Sequence, residues 1–100
     1  MATLADIRKA SETDVHACVD DDTPGGHFLA TARILAITTT YLCAGAQSDL
    51  DAPIVGRIEW PLIDSGRAPV AVRGSGIKGG QALLGAWADS AAAFKAMVAQ

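Results

Sequence analysis

The stretch FLATARILAITTTYLCA, residues 28–44, decides the fold, because its residues suit both a helix and a strand. Alanines at positions 30, 32, 36 and 44 favour a helix. The run from Ile37 to Tyr41 favours a strand, because its β-branched side chains suit a pleated backbone. On a helical wheel Arg33 and Thr40 lie opposite Thr31 and Thr38, which leaves two apolar flanks. We predict a central or interface helix. The alternative is a strand, which would give a four-stranded sheet with a helix at each end of the sequence.

The second half of the chain predicts a β-hairpin followed by a helix. Residues 54–60 alternate in part between apolar and polar, and Pro61 ends this strand or places it at a sheet edge. A turn at 64–67 leads to a returning strand at 69–73. In residues 81–99 the apolar side chains share one side of a helical wheel, namely Leu83, Leu84, Trp87, Ala91, Phe94 and Val98. We therefore expect a hairpin at about 54–73 packed under a C-terminal helix at about 81–99.

The N-terminal residues predict a further helix. Thr3 followed by Asp6 is typical of a capping box, and Leu4 and Ile7 give this helix an apolar side. Residues 14–20 suit either a strand or a continuation of that helix. The expected fold is α+β with a helix-rich N-terminal half, formed as a single domain of residues 1–100.

Composition and charge exclude several classes of protein. The net charge is −3, and the eight Lys and Arg are scattered, so no basic stripe predicts nucleic-acid binding. Arg33 and the threonines interrupt the apolar stretch 28–46, so we expect no membrane span. The two cysteines and the absence of a recognisable targeting segment lead us to expect a cytoplasmic protein with reduced thiols. Abundant Asp and absent Asn suggest a bacterial or bacteriophage source.

A glycine-rich loop, GSGIKGG at residues 74–80, is the clearest candidate binding motif. A G-x-G-x-x-G loop between a strand and a helix can hold phosphate on its backbone amides and on the helix N-terminus. No later strand carries the acidic residue that a dinucleotide fold requires, and no Lys-Ser/Thr pair completes a P-loop. The candidate anion-binding residues are Arg73, Gly74, Gly76, Lys78 and Gly79.

Other candidate chemistry is weaker. His16, Cys18, Asp20 and His27 are residue types that bind zinc, but their spacing matches no standard zinc site. Cys18 beside His16 is a conceivable nucleophilic centre, but it would need a third group to orient the histidine. We therefore predict no metal, no cofactor and no catalytic residues.

The apolar middle of the chain predicts a protein that works by contact. Arg33, Tyr41 and Trp60 are the candidate interface residues; Trp60 can alternatively pack in the core against Trp87 and Phe94. An arginine between apolar flanks must reach water, an acidic partner or a second chain, where a loop aspartate could pair with it. We predict a small non-enzymatic interaction or structural protein, such as an inhibitor, adaptor or assembly subunit, with a protein partner or self-association. The alternative is a phosphate- or nucleotide-binding module that uses residues 74–80.

Overall fold

The computed structural model describes residues 1–83 and 89–99, which form a six-stranded antiparallel sheet with a helix against each face. Each strand pairs with the next one along the chain, so the spatial order equals the sequence order. The predicted α+β class is confirmed. The elements are α1 (Leu4–Ala10), β1 (His16–Cys18), β2 (His27–Ile34), β3 (Ile37–Ala44), β4 (Ile54–Trp60), β5 (Val70–Arg73), β6 (Gln81–Ala82) and α2 (Ser90–Val98), with a short 3-10 helix at Ile63–Ser65.

The central stretch forms two strands, so the helix predicted at 28–44 is wrong. β2 and β3 pair along their whole length, from His27 opposite Ala44 to Ile34 opposite Ile37. The helix-rich N-terminal half is wrong for the same reason. Leu42 is buried against α2, and its neighbour Cys43 is buried on the opposite face. Strands covered on both faces form nearly continuous apolar runs, which hide the two-residue period from a sequence reading.

The first face of the sheet is covered by α1. Leu4 and Ile7 are fully buried against Ala30 and Ala32 of β2, whose small side chains let the helix approach the sheet closely. The predicted capping box is confirmed, since the amide of Thr3 donates to Asp6 Oδ2 at 2.9 Å. Two of the four alanines that favour a helix in the sequence, Ala30 and Ala32, therefore form part of the sheet surface on which α1 packs.

The second face is covered by α2. The predicted hairpin at 54–73 is confirmed as β4 and β5, and α2 packs over β4. The helix is shorter than predicted, because Gln81–Ala82 form β6 and α2 begins only at Ser90. Asp89 caps it, its Oδ1 accepting from the amide of Ala92 at 2.9 Å. Leu84 and Trp87, which we expected on its apolar face, lie outside the described residues.

A glycine in β4 allows the close approach of α2. A Cβ atom on Gly56 would lie 2.7 Å from Met97 Sδ and 2.8 Å from the carbonyl oxygen of Val72. Both distances are well inside van der Waals contact. Any side chain at position 56 would therefore displace the backbone of β5 at Val72 and the side chain of Met97.

The two-residue turn between β2 and β3 has residues that suit it poorly. Leu35 and Ala36 have φ angles of 49° and 64°. Positive φ at both central positions is typical of a type I′ turn, for which Asn-Gly is the preferred pair. Left-handed backbone costs a residue with a Cβ about 1–2 kcal/mol. The turn therefore stores strain at one end of the sheet.

We expect the double change Leu35→Asn with Ala36→Gly to relieve that strain. The free energy of unfolding should rise by about 1 kcal/mol, and Tm by about 4–8 °C. Thermal and urea denaturation followed by circular dichroism measure both quantities. Leu35→Val is the opposite control, because a β-branched residue tolerates positive φ least, and it should lower Tm. A double variant no more stable than the unmodified protein would contradict the assignment of strain to this turn.

Candidate functional site

An open groove of about 660 Å³ lies at the end of the sheet that carries the β2–β3 turn. One wall comes from that turn, and the other comes from the connection between β4 and β5. We call it the tip groove, and its lining residues are Arg33, Leu35, Ala36, Ile37, Thr38, Glu59, Trp60, Pro61, Leu62, Ser65, Arg67, Ala68 and Val70. The groove thus brings together segments that are separated in the sequence but adjacent in the meander.

Large apolar side chains of the tip groove are exposed together. Leu35 is 62% exposed, Leu62 66%, Val70 41% and Ile37 39%. Single exposed apolar residues are ordinary on a protein surface, whereas several that line one groove make that groove a candidate contact surface. The tip groove is therefore the candidate functional site.

Trp60 is half-buried in the tip groove, with its ring held in place. Its Nε1 donates to Thr40 Oγ1 at 3.0 Å, and Thr40 Oγ1 lies 3.4 Å from Thr31 Oγ1 on the adjacent strand. The ring also packs against the buried cluster that contains Phe94. Trp60 thus combines the two roles that the sequence left open, because one side of the ring packs inward and the residue also lines the groove. Its predicted contact with Trp87 lies outside the described residues.

Arg33 lines the tip groove and pairs with an acidic residue of its own chain. Its Nε lies 3.4 Å from Glu12 Oε1, and the two side chains are 42% and 46% exposed. The same carboxylate accepts from the amide of Ala36 at 3.2 Å. An exposed pair of this kind adds little stability. Its effect is to tie the strained turn to the segment that follows α1.

Tyr41, a predicted interface residue, is fully buried. It lies on the face covered by α1, and its hydroxyl donates to the carbonyl of Ile77 at 2.8 Å. Burial raises the pKa of Tyr41 to about 12, with the Arg57 guanidinium opposing the shift. The side chain cannot reach a partner while the protein is folded.

The glycine-rich loop joins two strands, β5 and β6, and not a strand and a helix. Two of its carbonyl oxygens accept hydrogen bonds from other parts of the chain. The carbonyl of Ser75 accepts from the amide of Ala2 at 2.9 Å, and the carbonyl of Gly79 accepts from Arg57 Nη1 at 2.8 Å. At Gly76 a Cβ atom would lie 2.8 Å from the carbonyl oxygen of Lys78. The glycines therefore make a tight loop that is fastened to the sheet through its carbonyl groups.

The predicted anion-binding residues are Arg73 at the end of β5 and four residues of the loop that follows it. Arg73 Nε donates to the carbonyl of Met97 at 3.1 Å, near the C-terminal end of α2. Lys78 is exposed, and Gly79 has a φ of 75°. The helix N-terminus that would strengthen anion binding does not follow Gly74 and Gly76. Anion binding at these residues stays a prediction.

Arg57 is the buried charge that the sequence analysis missed. Its side chain is 6% exposed, and its Nε lies 2.9 Å from Glu59 Oε2. Because residues two apart in a strand point to the same face, an Arg and a Glu at positions 57 and 59 could have indicated this pair. Arg57 thus contacts Glu59 on its own strand and the carbonyl of Gly79, and the second contact links the glycine-rich loop to β4.

The residues considered for metal or thiol chemistry lie on the paired strands β1 and β2 and in the loop between them. His16 and Cys18 are on β1, whereas His27 begins β2 and its Nδ1 lies 2.9 Å from the carbonyl of Gly25. Asp20 Oδ1 accepts from the amide of Asp22 and from Thr23 Oγ1, which closes the acidic loop on itself. Across residues 1–83 and 89–99, no three His, Cys, Asp or Glu side chains are close enough together to hold a metal ion.

The two cysteines are expected to differ sharply in reactivity. Cys18 is exposed, whereas Cys43 is buried, and burial raises the pKa of the Cys43 thiol to about 12. A thiol reagent at pH 8 should therefore modify one cysteine quickly, and Cys18→Ser should remove that fast phase. Rapid modification of Cys43 in the native protein would contradict its placement in the core.

No family model, curated protein or solved structure matches the chain. Within the part of the chain that the structure describes, no helix has the length and apolar character needed to cross a membrane.

Proposed function

We propose that the protein is a small non-enzymatic binding protein that contacts a protein partner through the tip groove. The observation that carries this proposal is the exposed apolar patch formed by Leu35, Ile37, Leu62 and Val70. A surface of this kind gains free energy when a partner removes it from water, by about 25 cal/mol for each Å² of apolar area. Inhibitors, adaptors and assembly subunits all act through such surfaces.

The residue types around the patch support a protein partner. Trp60 and the two arginines of the tip groove, Arg33 and Arg67, belong to the types enriched at the energetic centres of protein interfaces. Trp60 is already oriented by its bond to Thr40, so little side-chain entropy is lost when a partner binds. The groove is also built on the ends of paired strands, which present its walls in a fixed geometry.

The strained turn gives a second line of support. Asn-Gly at positions 35 and 36 would be the more stable turn, but it would remove the exposed leucine. Strain retained at a surface position is typical of sites where function opposes stability. We infer that the Leu35–Ala36 turn is retained because it exposes the side chain of Leu35 at the groove.

A peptide-display selection against the purified protein tests the proposal. We expect selected peptides to be rich in apolar side chains, and Leu35→Glu to weaken their binding at least about tenfold, equivalent to about 1.4 kcal/mol. Val19→Glu is the matched control, because Val19 is a similarly exposed apolar residue, 61% exposed, that does not line the groove. It should leave peptide binding unchanged.

Two results would overturn the proposal. One is a selection that yields no peptide with specific affinity. The other is a set of peptides whose binding is weakened equally by Leu35→Glu and Val19→Glu, or by neither. Circular dichroism of both variants ensures that lost binding is not lost folding.

A further inference from the structure

The end of the sheet opposite the tip groove carries an exposed leucine between two aspartates. Leu50 is 52% exposed, and Asp49 and Asp51 flank it in the connection between β3 and β4. We call residues 49–51 the aspartate knob. The strands between knob and groove run for up to eight residues, which corresponds to about 26 Å. The two surfaces therefore lie at separate ends of one molecule.

The aspartate knob is held in a defined conformation. The carbonyl of Leu50 accepts from the amide of Ala5 at 3.0 Å, and Asp49 Oδ1 accepts from the amide of Asp51 at 2.9 Å. The backbone of the knob is thus hydrogen-bonded to α1, and the side chain of Leu50 is exposed to solvent. An apolar side chain presented on a fixed loop loses little entropy when it is buried by a partner.

The tip groove offers the complementary charge. Among its lining residues, Arg33 is paired with Glu12 and Glu59 with Arg57. Arg67 lines the groove without an ion pair to any acidic side chain in residues 1–83 and 89–99. Asp64 is near Arg67 in the sequence but does not line the groove. Among the described residues, the groove thus combines exposed apolar side chains with a guanidinium, that of Arg67, which has no ion-pair partner.

We propose that the partner of the tip groove is a second copy of this chain, whose Leu50 enters the groove while its Asp51 faces Arg67. This inference rests on the proposed function, because it names the occupant of the same groove. The exposed leucine meets the apolar patch, and the carboxylate meets the arginine. Because the contact joins two different surfaces, it extends to a ring or an open chain unless two copies close on each other through both contacts.

Sedimentation velocity of the full chain, from micromolar to millimolar concentration, tests the inference. The mean mass should rise with concentration, more strongly at low salt than at high salt. Arg67→Glu and Asp51→Lys should each weaken the association at least about tenfold. Lys9→Glu is the matched control for Arg67→Glu. It also replaces a cation by a carboxylate, at an exposed position of α1, and it should leave the association unchanged.

A charge swap makes the test specific. The double variant Arg67→Glu with Asp51→Lys should associate again, because the pair is rebuilt with its charges exchanged. An equimolar mixture of the two single variants should also associate. Asp51 and Arg67 are both exposed, and thermal denaturation of each variant checks that folding is unchanged.

Three results would overturn the inference: a monomer at all concentrations, association that Arg67→Glu does not weaken, or a double variant that fails to restore it. None of these results bears on peptide binding by the tip groove. A monomer whose groove still selects peptides would therefore reject the second copy as partner and retain the proposed function. Loss of both would reject both proposals.

Discussion

Replacing Phe94 with alanine is expected to lower the free energy of unfolding by about 3–5 kcal/mol, the largest effect of any single change considered. Phe94 is 1% exposed and lies at the centre of the cluster that joins α2 to the sheet, with Leu42 and Ile58 beneath it. The substitution removes the transfer free energy of the ring and leaves a cavity between helix and sheet. Tm should fall by more than about 12 °C.

The Phe94 prediction has a control in the next residue. Lys95 is exposed on the same helix, and Lys95→Ala should change stability by no more than about 0.5 kcal/mol. Urea denaturation of both variants gives the comparison. A loss of less than about 1 kcal/mol for Phe94→Ala would show that α2 contributes little to the fold, contrary to its buried position over β4.

Replacing Arg57 with methionine is expected to cost about 3 kcal/mol, the second largest effect. The substitution leaves Glu59, which is only 33% exposed, without its cation, and it removes the donor to the carbonyl of Gly79. Breaking a buried pair from one side typically costs about 3–5 kcal/mol, and the partial exposure of Glu59 places this case at the lower limit.

The matched control for Arg57 is removal of both charges. Arg57→Met with Glu59→Met should be more stable than Arg57→Met alone, because no unpaired carboxylate is left near the core. Thermal denaturation measures the order of the three proteins. If the double variant were less stable than the single one, Glu59 would have to gain its stability from a source other than Arg57.

The parts of the fold that depend on local sequence were predicted correctly. The capping box of α1 needs only Thr3 and Asp6, and the β4–β5 hairpin needs only the alternation on each side of its connection. The helix predicted at 28–44 is wrong because helices cover both faces of the sheet. Leu42 and Cys43 are both buried, so apolar and polar residues do not alternate there. That pattern can be resolved only when the position of both helices is known.

The candidate sites depended on distant parts of the chain. Tyrosine is a residue type enriched at interfaces, but the hydroxyl of Tyr41 donates to the carbonyl of Ile77, in a loop more than thirty residues later in the sequence. The tip groove brings Arg33, Trp60 and Val70 together only through the register of four strands. The sequence predicts a strand-to-helix connection at 74–80 because the two-residue strand β6 is too short to show in a sequence pattern.

The order of the strands along the sheet has a consequence for how the protein is made. Because every strand pairs with the one synthesised just before it, β1 to β4 can assemble successively as the chain leaves the ribosome. Contacts between near neighbours in the chain also favour rapid folding. The bond from Ala2 to Ser75 links the first residues to a loop translated much later, so we expect the N-terminal helix to lock in place as one of the last steps.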